Sequence, residues 1–152
     1  MFGQGVGDSG VAETKGRQWE HFNHEADIGI RGYGADIEEA FATAALALTA
    51  VVTEPESVVS RERVVIEVVE QEPEWQLFEM INALVYEMST RHMIFGEFNV
   101  RRQGRGLVIE ALGENVDRAR HQPAVEIKGA TLTELSVKKT DRGWRAQCVV
   151  DV

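Results

Sequence analysis

Apolar residues recur along this chain with two periods, and the switches between them outline its elements. Trp19 to Phe22 reads as a short strand and Ile28 to Tyr33 as a second, with Ile28 and Ile30 on one face and Asp27 and Arg31 on the other. Gly32 and Gly34 loosen the backbone before a helix whose start is marked by Asp36 as cap. Glu39, three residues on, can reach back to complete a capping box. Ile37, Ala40, Phe41, Ala44, Leu48 and Val51 form one apolar stripe at helical spacing, the surrounding alanines favour close packing on a sheet, and Pro55 lies beyond the end. Arg61 to Glu70 alternates as a strand, with Val64, Ile66 and Val68 on one face. Pro73 opens a second helix, with Glu72 and Glu74 at its positive N-terminal end and Leu77, Ile81, Leu84, Val85 and Met88 as its buried face. Trp75 and Phe78 read as core or edge cover.

After Phe95 the pattern is β. Glu97 to Arg102 and Leu107 to Leu112 flank the turn Gln103-Gly104-Arg105-Gly106. A polar loop from Gly113 to Pro123 leads to strands near Val125 to Lys128 and Leu135 to Lys139. Asp141-Arg142-Gly143 signals a second hairpin, and Trp144 to Val150 closes the chain. The order predicts a single α+β domain over residues 18–152, two helices packed on a largely antiparallel or mixed sheet. Residues 1–17 carry five glycines and no apolar h-region, which predicts a flexible leader and not a signal peptide.

Composition narrows the function classes. The net charge of −9, from 25 acids against 16 bases, argues against unaided binding to nucleic acid, whose recognition needs a basic footprint. Ten of the acids fall between Asp36 and Glu74, so a basic protein partner or a divalent cation fits better. The single Cys148 excludes an internal disulfide and a cysteine-based zinc site; its apolar neighbours mark it as a small buried residue, and cysteine usage points to the cytosol. No apolar run reaches the ~18 residues that cross a bilayer.

The candidate chemistry lies in charged strand positions. Trp144, Ala146, Cys148 and Val150 share one parity of the last strand, leaving Asp151 on the other with Val149. Val125 and Ile127 form an apolar set with Glu126 and Lys128 off it, so Asp27, Lys128 and Asp151 all fall off the apolar face. Alternation is compatible both with three solvated charges and with one site at a sheet end. His24 can ligate a metal or make one structural hydrogen bond. His121, after Arg118 and Arg120 in a polar loop, reads as a surface residue, and His21 and His92 carry no signal. Gly104 and Gly106 are not followed by the strand-to-helix turn of a phosphate loop, and no serine stands in a nucleophile elbow.

These residues resemble a known family. His24-Glu25-Ala26-Asp27-Ile28-Gly29-Ile30 is similar to the H-T-A-D-I-G signature of the archeases. Gly32-Tyr33-Gly34, the helix start Ile37-Glu38-Glu39-Ala40-Phe41, Glu114, Arg120-His121, Ile127-Lys128 and the ending Gly143-Trp144-Arg145-Ala146 through Val150-Asp151-Val152 extend the match over about residues 19–152. The resemblance implies an accessory protein of an RtcB-type RNA ligase, which joins RNA ends carrying a 2′,3′-cyclic phosphate or 3′-phosphate to 5′-hydroxyl ends. It implies promotion of ligase guanylylation and multiple turnover, with RNA and GTP met only through the ligase. It further implies a divalent-metal site, Ca²⁺ or Mg²⁺, at Asp27 and Asp151, an essential lysine at Lys128, and activator positions at Glu114 and His24. Glu25 stands where the family often has threonine, and Gly129-Ala130-Thr131-Leu132-Thr133 departs from its A-[VI]-T-Y-[HS]. Two other expectations compete: a stand-alone metal-dependent hydrolase using the same acids, and a chaperone-like modulator of RNA-modifying enzymes.

Overall fold

The computed structural model describes residues 18–152; the predicted leader lies outside the described residues. Its order is β1 (Trp19–His24), β2 (Asp27–Gly34), α1 (Ile37–Val52), β3 (Glu62–Val68), α2 (Pro73–Arg91), β4 (Met93–Gln103), β5 (Gly106–Asn115), α3 (Arg118–His121), β6 (Gly129–Ala130), β7 (Ser136–Thr140) and β8 (Gly143–Asp151), with a 3-10 turn at Pro55–Ser57. The expected α+β class holds, but the strands divide between two antiparallel sheets. One has the order β1-β2-β8-β6 with β7 also on β8; the other has the order β3-β5-β4.

The α1 start follows its sequence signal. Asp36 accepts from the Glu39 N–H at 2.8 Å, and the Glu39 carboxylate returns to the backbone at 2.6 Å, bonding the Ala35 N–H and not that of Asp36. The helix is wedged between the two sheets. On one side Gly32 of β2 lets it approach so closely that a Cβ there would lie 2.2 Å from the Ala44 nitrogen. On the other, the Thr49 hydroxyl donates to the Phe95 carbonyl of β4 at 2.6 Å. Phe41, Ala44 and Leu48 are thereby fully enclosed, and one contiguous core spans both sheets.

The buried face of α2 differs in part from its expected set. Leu77, Ile81 and Leu84 are buried, but they are joined by Met80 and Gln76, while Val85 and Met88 are half-buried. Gln76 is tolerated inside because its amide donates to the Glu70 and Arg105 carbonyls, stapling the end of β3 to the β4–β5 hairpin. Strand β4 starts at Met93, earlier than expected. A bulge between Phe95 and Glu97 breaks its alternation, so Met93, Ile94 and Phe95 are consecutively buried before Phe98 resumes the inward set. The expected strand over Val125 to Lys128 is not formed. That segment runs outside any ladder until Gly129, with Ile127 buried and Val125 exposed, so the two do not share an apolar face as expected.

Candidate functional site

The acidic cluster at the start of the fold is a hairpin turn. His24 pairs with Asp27 across β1 and β2, leaving Glu25 and Ala26 exposed at the tip, with Glu25 in the left-handed region at φ 54°. Strand β2 continues against β8 with Ile28 opposite Val150 and Gly29 opposite Val149, and one further step of the same register sets Asp27 opposite Asp151. On the face of that parity, one pair beyond Gly29 and Val149, Arg31 Nε donates to the Gln147 Oε1 across the same two strands at 2.8 Å. It is the face turned away from α1, as Ile28, Ile30 and Gly32 have the other parity. Opposed residues of an antiparallel pair have Cβ atoms about 5 Å apart, so the fold brings two distant carboxylates together.

Lys128 reaches the same end by backbone contact. Its N–H donates to the Asp151 carbonyl at 2.7 Å, and Gly129, the next residue, pairs with Asp151 in the ladder. Asp27, Asp151, Lys128 and His24 therefore lie at one end of the five-stranded sheet. Asp27 and His24 are half-buried, Asp151 and Lys128 exposed. Two facing carboxylates repel, and a neighbouring positive charge relieves that repulsion. Lys128, at the same sheet end, carries one such charge. The donor set also suits a hard cation, which takes oxygen ligands and completes its shell with water. Among the described residues no three His, Cys, Asp or Glu side chains converge on one point, so the end offers two carboxylates and not a closed cage.

Glu114 belongs elsewhere. It lies near the end of β5 in the three-stranded sheet, and its side chain is only 3% exposed. Its carboxylate accepts from the Val59 N–H at 2.9 Å, Arg61 Nε at 3.2 Å and Arg120 Nη1 at 2.9 Å, and it meets His121 Nε2 at 2.9 Å. These contacts, led by the Arg120 guanidinium, hold its carboxyl well below the usual carboxylate range. The expectation that His121 is a surface residue is corrected here: its side chain is 1% exposed. Its Nδ1 accepts from the Asp117 N–H at 2.8 Å, so the ring proton is on Nε2, facing Glu114. With both nitrogens engaged, the His121–Glu114 pair is a structural clasp and not a free base.

The clasp fixes the start of the segment that leads to Lys128. Asp117 caps α3 by accepting from the Ala119 and Arg120 N–H groups; the His121 carbonyl accepts from the Thr53 hydroxyl at the end of α1; and the Ala124 N–H donates to the Val52 carbonyl. What reads as a polar loop from 113 to 123 is therefore the end of β5 and a pinned helical turn. Arg61, Arg120 and His121 were not legible as its parts. The available signal was Asp117 four residues before His121, the spacing of a cap facing the end of a single helical turn.

Comparison with known proteins agrees with this fold. Residues 19–152 match the profile of the Archease protein family (MTH1598/TM1083). Protein archease of Pyrococcus furiosus is 38% identical over 141 residues, covering 90% of this chain and 99% of the relative. That of Methanosarcina barkeri is 32% identical over 144 residues, covering 91% and 99%. The solution structure of Methanobacterium thermoautotrophicum protein 1598 superposes with a TM-score of 0.72 at 25% identity, covering 90% of this chain and 99% of that one. A two-sheet α+β fold of this kind is thus the class of protein at hand. The chain belongs to the archease family.

Proposed function

We propose that this protein activates an RtcB-type RNA ligase, using the sheet end formed by Asp27, Asp151 and Lys128 to promote ligase guanylylation. The observation that carries this reading is the β2–β8 register, which pairs Ile28 with Val150 and so carries the neighbouring Asp27 and Asp151 to the same strand ends, while the Lys128 N–H bonds the Asp151 carbonyl. Asp27 and Asp151 are the residues that would hold a divalent cation, Ca²⁺ or Mg²⁺, whose contribution is to neutralise charge on a nucleotide triphosphate. Lys128, exposed on the same end, supplies a fixed positive charge for a phosphate group. His24, half-buried across the hairpin from Asp27, is the imidazole nearest that end in the ladder. Glu114 acts at a distance, by holding the segment that ends at Lys128.

An accessory role is favoured over a stand-alone hydrolase by what surrounds the acids. Among the described residues neither aspartate has a histidine, serine or lysine side chain hydrogen-bonded to it as an activated nucleophile or base, and the one histidine–carboxylate pair is buried and saturated. The net charge of −9 also leaves RNA to be held by the partner. The test is transfer of labelled GMP from GTP onto a purified ligase, with and without this protein. Faster labelling and repeated turnover are expected. An unchanged rate contradicts the proposal, and phosphodiester cleavage by this protein alone with added Mg²⁺ favours the hydrolase.

A further inference from the structure

Helix α2 has a second apolar face that the core does not use. Its inward residues are Leu77, Met80, Ile81 and Leu84. On another side Trp75, Phe78 and Tyr86, with Asn82 between the last two, follow one another at steps of three and four residues, with Trp75 45% and Tyr86 64% exposed. The rings of Trp75 and Phe78 meet edge to face at 5.8 Å and form the wall of an open groove of about 520 Å³. Glu70, Glu79, Asn82 and Ala83 complete its lining. The Glu79 carboxylate is held at the rim by the Glu70 N–H, at 3.4 Å. Among the described residues neither the Trp75 indole N–H nor the Tyr86 hydroxyl has a hydrogen-bond partner. Aromatic side chains with a free polar tip are the typical anchors of protein interfaces.

The charge at the rim selects the occupant. An exposed aromatic pair can stack nucleobases, but carboxylates beside it repel the phosphates that accompany them. The same carboxylates attract an ammonium or guanidinium group, and the faces of Trp75 and Phe78 add the attraction of an aromatic ring for a cation. We infer that the Trp75–Phe78 groove of α2 is a docking site for a basic, aliphatic segment of a partner protein, with an arginine or lysine held between the rings and Glu70 and Glu79. The groove is tied to the sheet end through Asn82, whose side-chain oxygen accepts from the Ala130 N–H at 2.9 Å in β6, beside the residue that pairs with Asp151. A protein docked there is thereby in reach of the Asp27–Asp151 end. The inference rests on the groove's own chemistry and stands or falls separately from the ligase assignment.

The test uses the full chain and a dye-labelled peptide of alternating arginine and leucine as probe, followed by fluorescence anisotropy. Trp75→Ala and Glu79→Lys are each expected to weaken binding at least about tenfold. Glu56→Lys makes the same change in net charge at an exposed turn remote in sequence from the groove, and it is expected to weaken binding less than about twofold. Tyr86→Ala, on the same face, is an independent second variant should Trp75→Ala lose the far-UV signal of the parent. Equal loss in all variants, or no binding by the parent, overturns the proposal. It is also overturned if the parent is a dimer that Trp75→Ala disperses, or if a single-stranded RNA binds and loses affinity on the same substitution.

Discussion

Replacing Glu114 tests whether its role is to hold the fold beneath the functional end. The carboxylate gathers four donors, and its removal affects them unequally. Arg61 and Arg120 are exposed and can turn to water, so losing their ion pairs costs little. His121 Nε2 cannot, because the ring is enclosed, and the Val59 N–H loses its acceptor at the same time. At about 1–2 kcal/mol for each stranded donor, Glu114→Ala should destabilise the protein by about 3 kcal/mol. For a chain of this length that lowers the thermal midpoint by about 6–12 °C. Glu114→Gln keeps an acceptor but faces an amide towards cationic groups, and about half that loss is expected. Circular dichroism melts at pH 7 read the effect. The pH dependence has a fixed direction: the carboxyl's pKa is depressed in the folded state, so its contribution is complete above the unfolded value, about 4.3, and declines as pH falls towards the folded one. The gap between parent and Glu114→Gln should therefore narrow below about pH 4. A Glu114→Ala midpoint within about 2 °C of the parent refutes the account of the clasp.

Three further outcomes follow from local geometry. Asp36→Ala removes the cap of α1 and should cost about 1 kcal/mol, read as a drop of about 2–4 °C in the thermal midpoint; no drop would mean the Glu39 return bond suffices. Gly32→Ala forces a methyl into the α1 backbone and should cost more than about 3 kcal/mol, whereas Gly104→Ala, at φ 62° with open space around it, should cost only about 1 kcal/mol in denaturant melts. The Cys148 thiol, pushed up to about 12 by burial, should not react with a thiol-specific disulfide reagent at pH 8 until the protein is unfolded; rapid labelling of the native chain would contradict its enclosure.

Much of this architecture was legible because its determinants are local. The α1 cap, the Pro73 start of α2 and the turns at Gly104 and Asp141-Arg142 each depend on residues within one turn of one another. Strand parity likewise sorted Ile28 and Ile30 from Asp27, and Val150 from Asp151. It could not say that β2 and β8 are neighbours, because register between strands more than a hundred residues apart is decided by packing against α1. Division of the strands into two sheets was hidden for the same reason. His121 and Glu114 read as polar loop residues because a buried charge looks like an exposed one until its partners are known, and Arg61 lies 53 residues from Glu114. Lys128 was placed by the parity of a strand that does not exist; what brings it to Asp151 is a single backbone bond.

The central claim is that Asp27 and Asp151 act together at the end of the sheet. Removing either relieves a repulsion between facing carboxylates, so stability should be unchanged or slightly raised. The decisive measurement is ligase guanylylation stimulated by Asp27→Ala and by Asp151→Ala, with far-UV melts alongside. Each variant is expected to keep the parent's midpoint and to lose stimulation by at least about tenfold, equivalent to about 1.4 kcal/mol on the activation barrier. Full stimulation by both folded variants would contradict the claim.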